Sequence, residues 1–99
     1  MAIIYHVTGK EQWEQALKQG FYTDPSLEKE NFIHCSEAGQ VEGVLQRYFY
    51  GRTNLVKLVI DTEKLTSTLK YELAPSINQE FPHVYGPINL DAVREVVKL

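Results

Sequence analysis

The stretch "LVKLVID", residues 55–61, has the clearest strand pattern in the chain and divides it into two unlike halves. Its apolar residues Val56, Leu58 and Ile60 share one face, because successive side chains of a strand point to opposite sides. Before this stretch, apolar residues recur at helical spacing in two places. After it, the pattern is mostly that of short strands separated by turns. This division predicts an α+β fold.

The chain is predicted to begin with a strand and a helix. Residues 2–7 are a short apolar, β-branched run, which is typical of a strand. Thr8 and Glu11 have the spacing of a capping box, so a helix is expected over residues 10–19. Gly20 follows, where a left-handed residue commonly ends a helix.

The next segment, residues 22–31, is polar and contains Asp-Pro, which predicts a loop. A loop of this length in a small domain is often a binding loop or a lid. The stretch "FIHC", residues 32–35, predicts another strand. Ser36 is placed to cap a second helix, which apolar residues at helical spacing extend to Phe49.

The C-terminal half is predicted to supply most of the sheet. Residues 69–73 alternate as a strand, and residues 81–88 are extended because their two prolines exclude a helix. Residues 93–99 close the chain as a strand. We therefore expect residues 1–99 to form one small α+β domain, with a split or bent, mostly antiparallel sheet and two main helices.

Composition and charge narrow the class of protein. The chain has 99 residues and a net charge of −3 without a run of Lys or Arg, so it lacks the electrostatic footprint of a nucleic-acid binder. The single cysteine cannot form an internal disulfide, which fits a reducing compartment. The sequence shows no signal-peptide pattern and no apolar run near the ~20 residues of a membrane span. A cytoplasmic domain is expected.

The three histidines lie in apolar or aromatic, strand-like stretches. Two of them share a pattern, in which a strand ends in His, one residue and a hydroxyl residue that opens a helix. His6 is followed in this way by Thr8, and His34 by Ser36. Residues i and i+2 of a strand face the same way, so each pair presents an imidazole and a hydroxyl to one side. The adjoining helix start favours anions such as phosphate. His83 is the third histidine. We expect at least two of the three to line one pocket.

Other interpretations of these residues stay open from the sequence. A histidine on a strand is often a hydrogen-bonded structural residue, and Thr8 and Ser36 are already explained as helix caps. Three histidines can bind zinc and leave one position open, although neither HxH nor HxxxH spacing occurs. Cys35 adjoins His34 and therefore faces the other side of a regular strand. It is predicted to be a core residue rather than the nucleophile of a Cys–His pair.

The stretch "EFPHVY", residues 80–85, contains the third histidine and two further candidates. Tyr85 lies two residues after His83 and is expected to share its face, where it could stack on a flat ring or donate a hydrogen bond. Glu80 is a candidate general base or ribose-binding carboxylate. Glu72 is interpreted as a solvated charge.

Several stretches together resemble the bacterial and plant family of unknown function called DUF952. They are "IYHVT", "GFY", "NFIHCSEAGQV", "LVKLVID", "YE" and "FPHVYGPI", and in this order they cover essentially the whole chain. Its members are remotely similar to proteins of the ADP-ribosyltransferase-like fold. The resemblance implies a split, bent sheet with flanking helices and NAD held in a cleft between its halves.

The same resemblance implies contacts with NAD. "YHVT" is similar to the His-x-Thr/Ser motif on the first core strand of those enzymes, which would make His6 and Thr8 contacts to the NAD ribose. The segment from Gly20 to Ser36 falls where those enzymes sandwich nicotinamide. Tyr22, His34 and Ser36 are the cofactor-contacting or catalytic candidates there.

The catalytic assignment departs from the pattern of those enzymes. Many of them carry a catalytic glutamate near the strand that corresponds to "EFPHVY", whereas here His83 takes the strand position and Glu80 precedes it. The catalytic candidates are therefore His34, His83 and Glu80, with Tyr85 as a further cofactor-binding residue. No Arg is well placed for the family chemistry.

The resemblance thus implies an NAD- or nucleotide-binding, ADP-ribosyltransferase-like enzyme with a histidine-lined cleft. One alternative is a non-catalytic ligand-binding or protein-interaction module on the same fold. A further alternative is a metal-dependent hydrolase with three histidine ligands. NAD is the expected cofactor and a small-molecule nucleotide the expected ligand, without metal, nucleic acid or membrane.

Overall fold

The computed structural model describes residues 2–99. Within them lie three α-helices, α1 (Lys10–Gln19), α2 (Pro25–Glu30) and α3 (Val41–Tyr48). The strands are β1 (Ile3–Gly9), β2 (Phe21–Tyr22), β3 (Ile33–His34), β4 (Leu55–Asp61), β5 (Thr68–Ala74), β6 (Gln79–Tyr85), β7 (Ile88–Asn89) and β8 (Val93–Lys98). Short 3₁₀ turns span Ala38–Gln40, Thr62–Lys64 and Leu90–Ala92. No helix of this part of the chain has the length and apolar character to cross a membrane.

The strands form three antiparallel sheets, with the orders β1-β4-β8, β2-β7 and β3-β6-β5. β4 is the central strand of the first sheet, in keeping with its strong apolar pattern. An isolated bridge between Tyr5 and Ser36 joins the first sheet to the third. In it, the N–H of each residue donates to the carbonyl of the other, at 2.8 and 2.7 Å. The bridge holds β1 beside the end of β3.

The core draws side chains from all three sheets and from α1. Its fully buried members include Ile4, Ala16, Tyr22, Ile33, Leu58, Ile60, Val84 and Ile88. Burial of one large apolar side chain contributes roughly 1.5–3 kcal/mol. The shared core therefore fixes the positions of β1, β3 and β6, which carry the three histidines.

The predicted fold class is confirmed, with antiparallel sheets and the two main helices α1 and α3. The prediction of a loop over residues 22–31 is wrong, because α2 lies within it. Asp24 begins this helix by accepting a hydrogen bond from the N–H of Ser26 at 3.0 Å. Pro25 fits the first helical position. Asn31, with a φ of 73°, ends the helix.

Both predicted helix caps are also wrong. Gly9 caps α1, and its N–H donates to Oε1 of Gln12 at 3.2 Å. Thr8 belongs to β1, and its hydroxyl donates to the same oxygen at 2.9 Å. Ser36 is held in the bridge to β1, so the 3₁₀ turn before α3 is capped by Glu37 instead. In each case strand pairing includes the residue that the local pattern assigned to the helix cap.

Candidate functional site

A cleft of about 550 Å³ lies between α3 and the neighbouring parts of β1, β3 and β6. Each of these strands contributes one histidine to it, His6, His34 or His83. The cleft is also lined by the polar residues Asp24, Glu30 and Ser36 and by apolar residues that include Val44, Tyr48, Phe49 and Phe81. Three histidines that are far apart in the sequence therefore open onto one space.

Strand pairing and one side-chain hydrogen bond bring the histidines together. His34 and His83 are directly opposed in the β3–β6 pair, with their ring centroids 5.3 Å apart. His6 Nδ1 lies 2.5 Å from the carbonyl oxygen of His34. A carbonyl only accepts, so this nitrogen of His6 carries the proton. The two His-x-hydroxyl segments of the sequence meet at this bond.

Tyr22 is the centre of a buried hydrogen-bond network beside His6. Its hydroxyl oxygen lies 2.6 Å from Nε2 of His6, 2.9 Å from Oγ1 of Thr8 and 3.1 Å from Oδ1 of Asp24. Burial raises the pKa of the Tyr22 hydroxyl above its usual value. The hydroxyl therefore stays protonated, and it links the first strand to the segment that precedes α2.

Asp24 supplies a negative charge to the cleft. Burial by itself raises the pKa of this carboxyl group, but the contacts with His6 and with the N–H of Ser26 outweigh burial and hold the pKa below its usual range. Its Oδ1 lies 3.7 Å from Nε2 of His6, which is the distance of an ion pair when the imidazole is protonated. Asp24 therefore remains ionised beside His6.

A second cluster surrounds His83. The ring of Phe32 stacks on the His83 ring, with centroids 3.9 Å apart and an interplanar angle of 11°. Nδ1 of His83 lies 2.8 Å from Oε1 of Glu72, and the Tyr85 hydroxyl donates to the same oxygen. Hydrogen bonds from Tyr85 and His83 lower the pKa of Glu72 below its usual value, and the bond to Glu72 raises the pKa of Tyr85. An ionised carboxylate only accepts, so Nδ1 of His83 is the donor.

His34 is the most exposed of the three histidines, with 52% of its side chain accessible. Its Nε2 lies 2.8 Å from Oε2 of Glu30, four residues earlier at the end of α2. An exposed pair of this kind contributes little to stability. It does place an imidazole and a carboxylate together on the solvent side of the cleft.

Some of the predicted site residues line the cleft, and others are connected to it only through a neighbouring residue. Those that line it are His6, His34, Ser36 and His83. Thr8 and Tyr22 lie behind His6 and reach it through the buried network. Tyr85 is connected to His83 through Glu72, and it shares the face of His83 as expected.

Glu80 does not lie where a catalytic carboxylate would be needed. Its side chain is exposed and is not among the lining residues of the cleft in the described part of the chain. Alternation along β6 places Glu80 on the face opposite His83. Its contact to the neighbouring helical segment comes from the backbone, where its carbonyl oxygen accepts from Nε2 of Gln40 at 2.8 Å.

Three carboxylates beside the histidines are missing from the sequence-based prediction. Asp24 follows Tyr22 by two residues, and Glu30 precedes His34 by four. Both spacings are visible in the sequence once a short helix is assigned between them. Glu72 has no comparable signal, because its contact with the third histidine depends on the register between β5 and β6.

The geometry does not support a metal centre or a cysteine nucleophile. Among residues 2–99, no group of three or more His, Cys, Asp or Glu side chains is arranged to hold a metal ion. The alternative of a three-histidine hydrolase therefore has no structural support. Cys35 is 2% exposed and belongs to the core, as predicted, and burial raises the pKa of its thiol.

The fold and the cleft define a small α+β domain, and comparison with known proteins places it in a family. The chain belongs to the DUF952 family, which is described as a protein of unknown function and whose model matches residues 7–96. The resemblance to DUF952 drawn from the sequence is thus confirmed, whereas neither comparison shows the remote similarity to ADP-ribosyltransferase-like proteins. No curated protein matches the chain.

Solved structures of a Caulobacter crescentus protein, CC0527, share this fold. The crystal structure has a TM-score of 0.88 and 29% sequence identity, and the match covers 97% of this chain and 84% of that one. The solution NMR structure has a TM-score of 0.84 and 30% identity, and the match covers 100% of this chain and 85% of that one. The fold of this chain therefore agrees with structures obtained by two independent methods.

Proposed function

We propose that the cleft binds a nucleotide and that NAD is its ligand. The proposal is carried by the convergence of His6, His34 and His83 on one cleft that also holds carboxylates and aromatic rings. Imidazole, hydroxyl and carboxylate groups are hydrogen-bond partners for ribose hydroxyls, and aromatic side chains pack against flat rings. The resemblance of "YHVT" to the first-strand motif of ADP-ribosyltransferase-like proteins supports the same ligand.

The charges in the cleft favour the nicotinamide end of NAD⁺ over its diphosphate. Asp24 and Glu30 line the cleft, and no Lys or Arg is among its lining residues within the described chain. A carboxylate attracts the cationic nicotinamide ring and repels a diphosphate. The apolar wall, which includes Tyr48, Phe49 and Phe81, offers packing for the ring. We therefore assign the nicotinamide riboside to the cleft and the diphosphate to its solvent side.

A ligand bound in this way is positioned to lose nicotinamide. Departure of nicotinamide leaves a ribose with oxocarbenium-like positive charge, and a fixed carboxylate stabilises such charge. Glu80 lies outside the cleft, so Asp24 and Glu30 are the carboxylates suited to this role. The activity we propose is transfer of ADP-ribose, or processing of NAD, through this step.

The test is a titration of isotope-labelled protein with NAD⁺, followed by NMR through the imidazole signals. We expect the ring signals of His34 and His83 to shift, and those of His6 to shift less because both of its nitrogens are hydrogen-bonded within the protein. NADH is the matched control ligand, since it keeps the diphosphate but lacks the positive charge on the ring, and it should produce weaker shifts. Shifts confined to residues away from the cleft would reject the proposal.

A second candidate function is a non-catalytic ligand-binding or protein-interaction module. His6 favours it, because this residue is 6% exposed and uses both ring nitrogens inside the protein, as structural histidines do. Detection of free nicotinamide after incubation with NAD⁺ separates the two candidates. Release of nicotinamide supports an enzyme, whereas binding without release supports the module.

A further inference from the structure

The cluster around His83 contains a carboxylate–imidazole pair that crosses two strands. Glu72 on β5 is paired in register with Phe81 on β6, so its carboxylate reaches His83 diagonally across the strand pair. Diagonal neighbours of this kind lie within reach of long side chains. Among the described residues, His83 lines the cleft and Glu72 does not. The pair therefore connects a carboxylate that lies outside the cleft, on the third sheet, to an imidazole that lines the cleft.

The bond to Glu72 decides which nitrogen of His83 is available to a ligand. Within residues 2–99, every buried side-chain nitrogen and oxygen has a hydrogen-bond partner. Nε2 of His83 has no such partner in this part of the chain, so this atom is not fully enclosed, although the residue as a whole is only 9% exposed. Phe32 covers one face of the ring, and Glu72 engages Nδ1. In the neutral ring with Nδ1 protonated, Nε2 carries the lone pair and can accept a proton.

We propose that Glu72 is a positioning residue that holds His83 in this tautomer, and that Nε2 of His83 is the general base for a hydroxyl nucleophile in the cleft. The nucleophile is water or an alcohol, and the inference rests on the proposed loss of nicotinamide. Nε2 takes the hydroxyl proton while the oxygen forms a bond to the ribose carbon. The bond from that carbon to nicotinamide breaks, and its electron pair leaves with neutral nicotinamide. The positive charge moves to the imidazolium, beside Glu72.

The surroundings of the pair suit this role. The Tyr85 hydroxyl donates to the oxygen of Glu72 that accepts from His83, so the carboxylate is held from two sides. The Lys70 ammonium lies 5.0 Å from the centre of the Tyr85 ring. On the cleft side, the His34 ring is 5.3 Å from His83 and is itself bonded to a carboxylate through Nε2. Glu72 is thus the carboxylate that stabilises an imidazolium at His83, while Glu30 is bonded to His34 and Lys70 is the cation opposite His83 in the strand pair.

The tautomer is tested on the ligand-free protein by long-range ¹H–¹⁵N NMR of the imidazole rings. We expect neutral His83 to carry its proton on Nδ1. Glu72→Ala should lose this signature, because no acceptor then faces Nδ1. Glu30→Ala is the matched control, since it removes the comparably exposed carboxylate from His34, and it should leave His83 unchanged. A proton on Nε2 in the wild-type protein overturns the inference without any variant.

The role as a base is tested by the rate of nicotinamide release from NAD⁺. Glu72→Ala should lower kcat about 10- to 100-fold, because positioned acid–base groups typically contribute about 10²–10⁴-fold. KM should stay unchanged, since Glu72 does not line the cleft. An unchanged kcat, or NAD⁺ binding without any release, overturns the base role while NAD binding stands. Failure to bind NAD⁺ overturns the proposed function and, with it, the base role, but leaves the tautomer result intact.

Discussion

Tyr22 illustrates how one residue can connect a core to a site. Its ring is fully buried among apolar side chains, while its hydroxyl contacts His6, Thr8 and Asp24. A buried polar group that loses its partners costs about 1–3 kcal/mol, so each member of this network depends on the others. The position of His6 in the cleft is consequently tied to the packing of the core.

Asp24 should make the stability of the protein sensitive to acid. Its pKa in the folded state lies below the unfolded value of about 3.9. The carboxylate therefore contributes fully above that value, and its contribution is lost as the pH falls toward the folded pKa. Between about pH 5 and 2, the free energy of unfolding should fall more steeply for the wild-type protein than for Asp24→Asn.

Asn is a close replacement for Asp24, since it keeps an oxygen to cap α2 at Ser26, removes the charge and puts an amide NH2 in place of the oxygen that faces Tyr22. Urea unfolding at a series of pH values measures the effect. Glu72, whose pKa is also lowered, is present in both proteins, so its contribution cancels. Equal pH slopes for the two proteins would show that Asp24 has no such role.

At the scale of elements, residues in the left-handed conformation end two of the helices. α1 ends at Gly20 with a φ of 95°, and the N–H of this residue donates to the carbonyl of Ala16 at 2.9 Å. α2 ends at Asn31 in the same left-handed region. Both ends return the chain to a short strand, β2 or β3, that borders the site.

Gly20→Ala should destabilise the protein by about 1 kcal/mol, because a side chain in the left-handed region is strained. A Cβ atom at this position meets no atom within 4 Å, so the cost is that of the backbone alone. Gly39→Ala is the control, since a Cβ atom there is equally free of contacts and the φ of Gly39 is not positive. Its free energy of unfolding in urea should change by less than about 0.5 kcal/mol. Equal effects of the two substitutions would contradict the argument.

At the scale of the whole molecule, three small sheets close around one core. The cleft lies where the first and third sheets meet, and the Tyr5–Ser36 bridge connects the two sheets there. Cys35 is at the same place, with its N–H donating to the carbonyl of Pro82 at 3.0 Å. Its side chain is only 2% exposed, although the residue borders the cleft.

Cys35 should therefore report on global unfolding. We expect a thiol reagent to modify it in the folded protein only through rare opening, so the rate should rise with urea in parallel with unfolding. Gln15→Cys adds an exposed thiol on α1 as a control, and this second thiol should react at once. Rapid modification of Cys35 without urea would show that the cleft opens locally to the core.

Individual residues show which structural features local sequence patterns can predict. The ranges of α1 and β4 are as predicted, because β4 has a periodic apolar face in the core and α1 packs on the core through Ala16 and ends at Gly20. The caps at Thr8 and Ser36 were wrong, because strand pairing captured both residues. Glu80 was assigned to the site by nearness in sequence, but strand alternation turned it to the other face.

The sequence by itself determined the family, through its resemblance to DUF952. It also determined the α+β class, the two main helices and the three histidines worth attention, since these follow from periodicity and local pattern. Only the tertiary structure decided that the histidines share one cleft and that Asp24, Glu30 and Glu72 are their partners. The physical reason is register. Which side chains meet across paired strands depends on long-range pairing and core packing, and no local pattern encodes either.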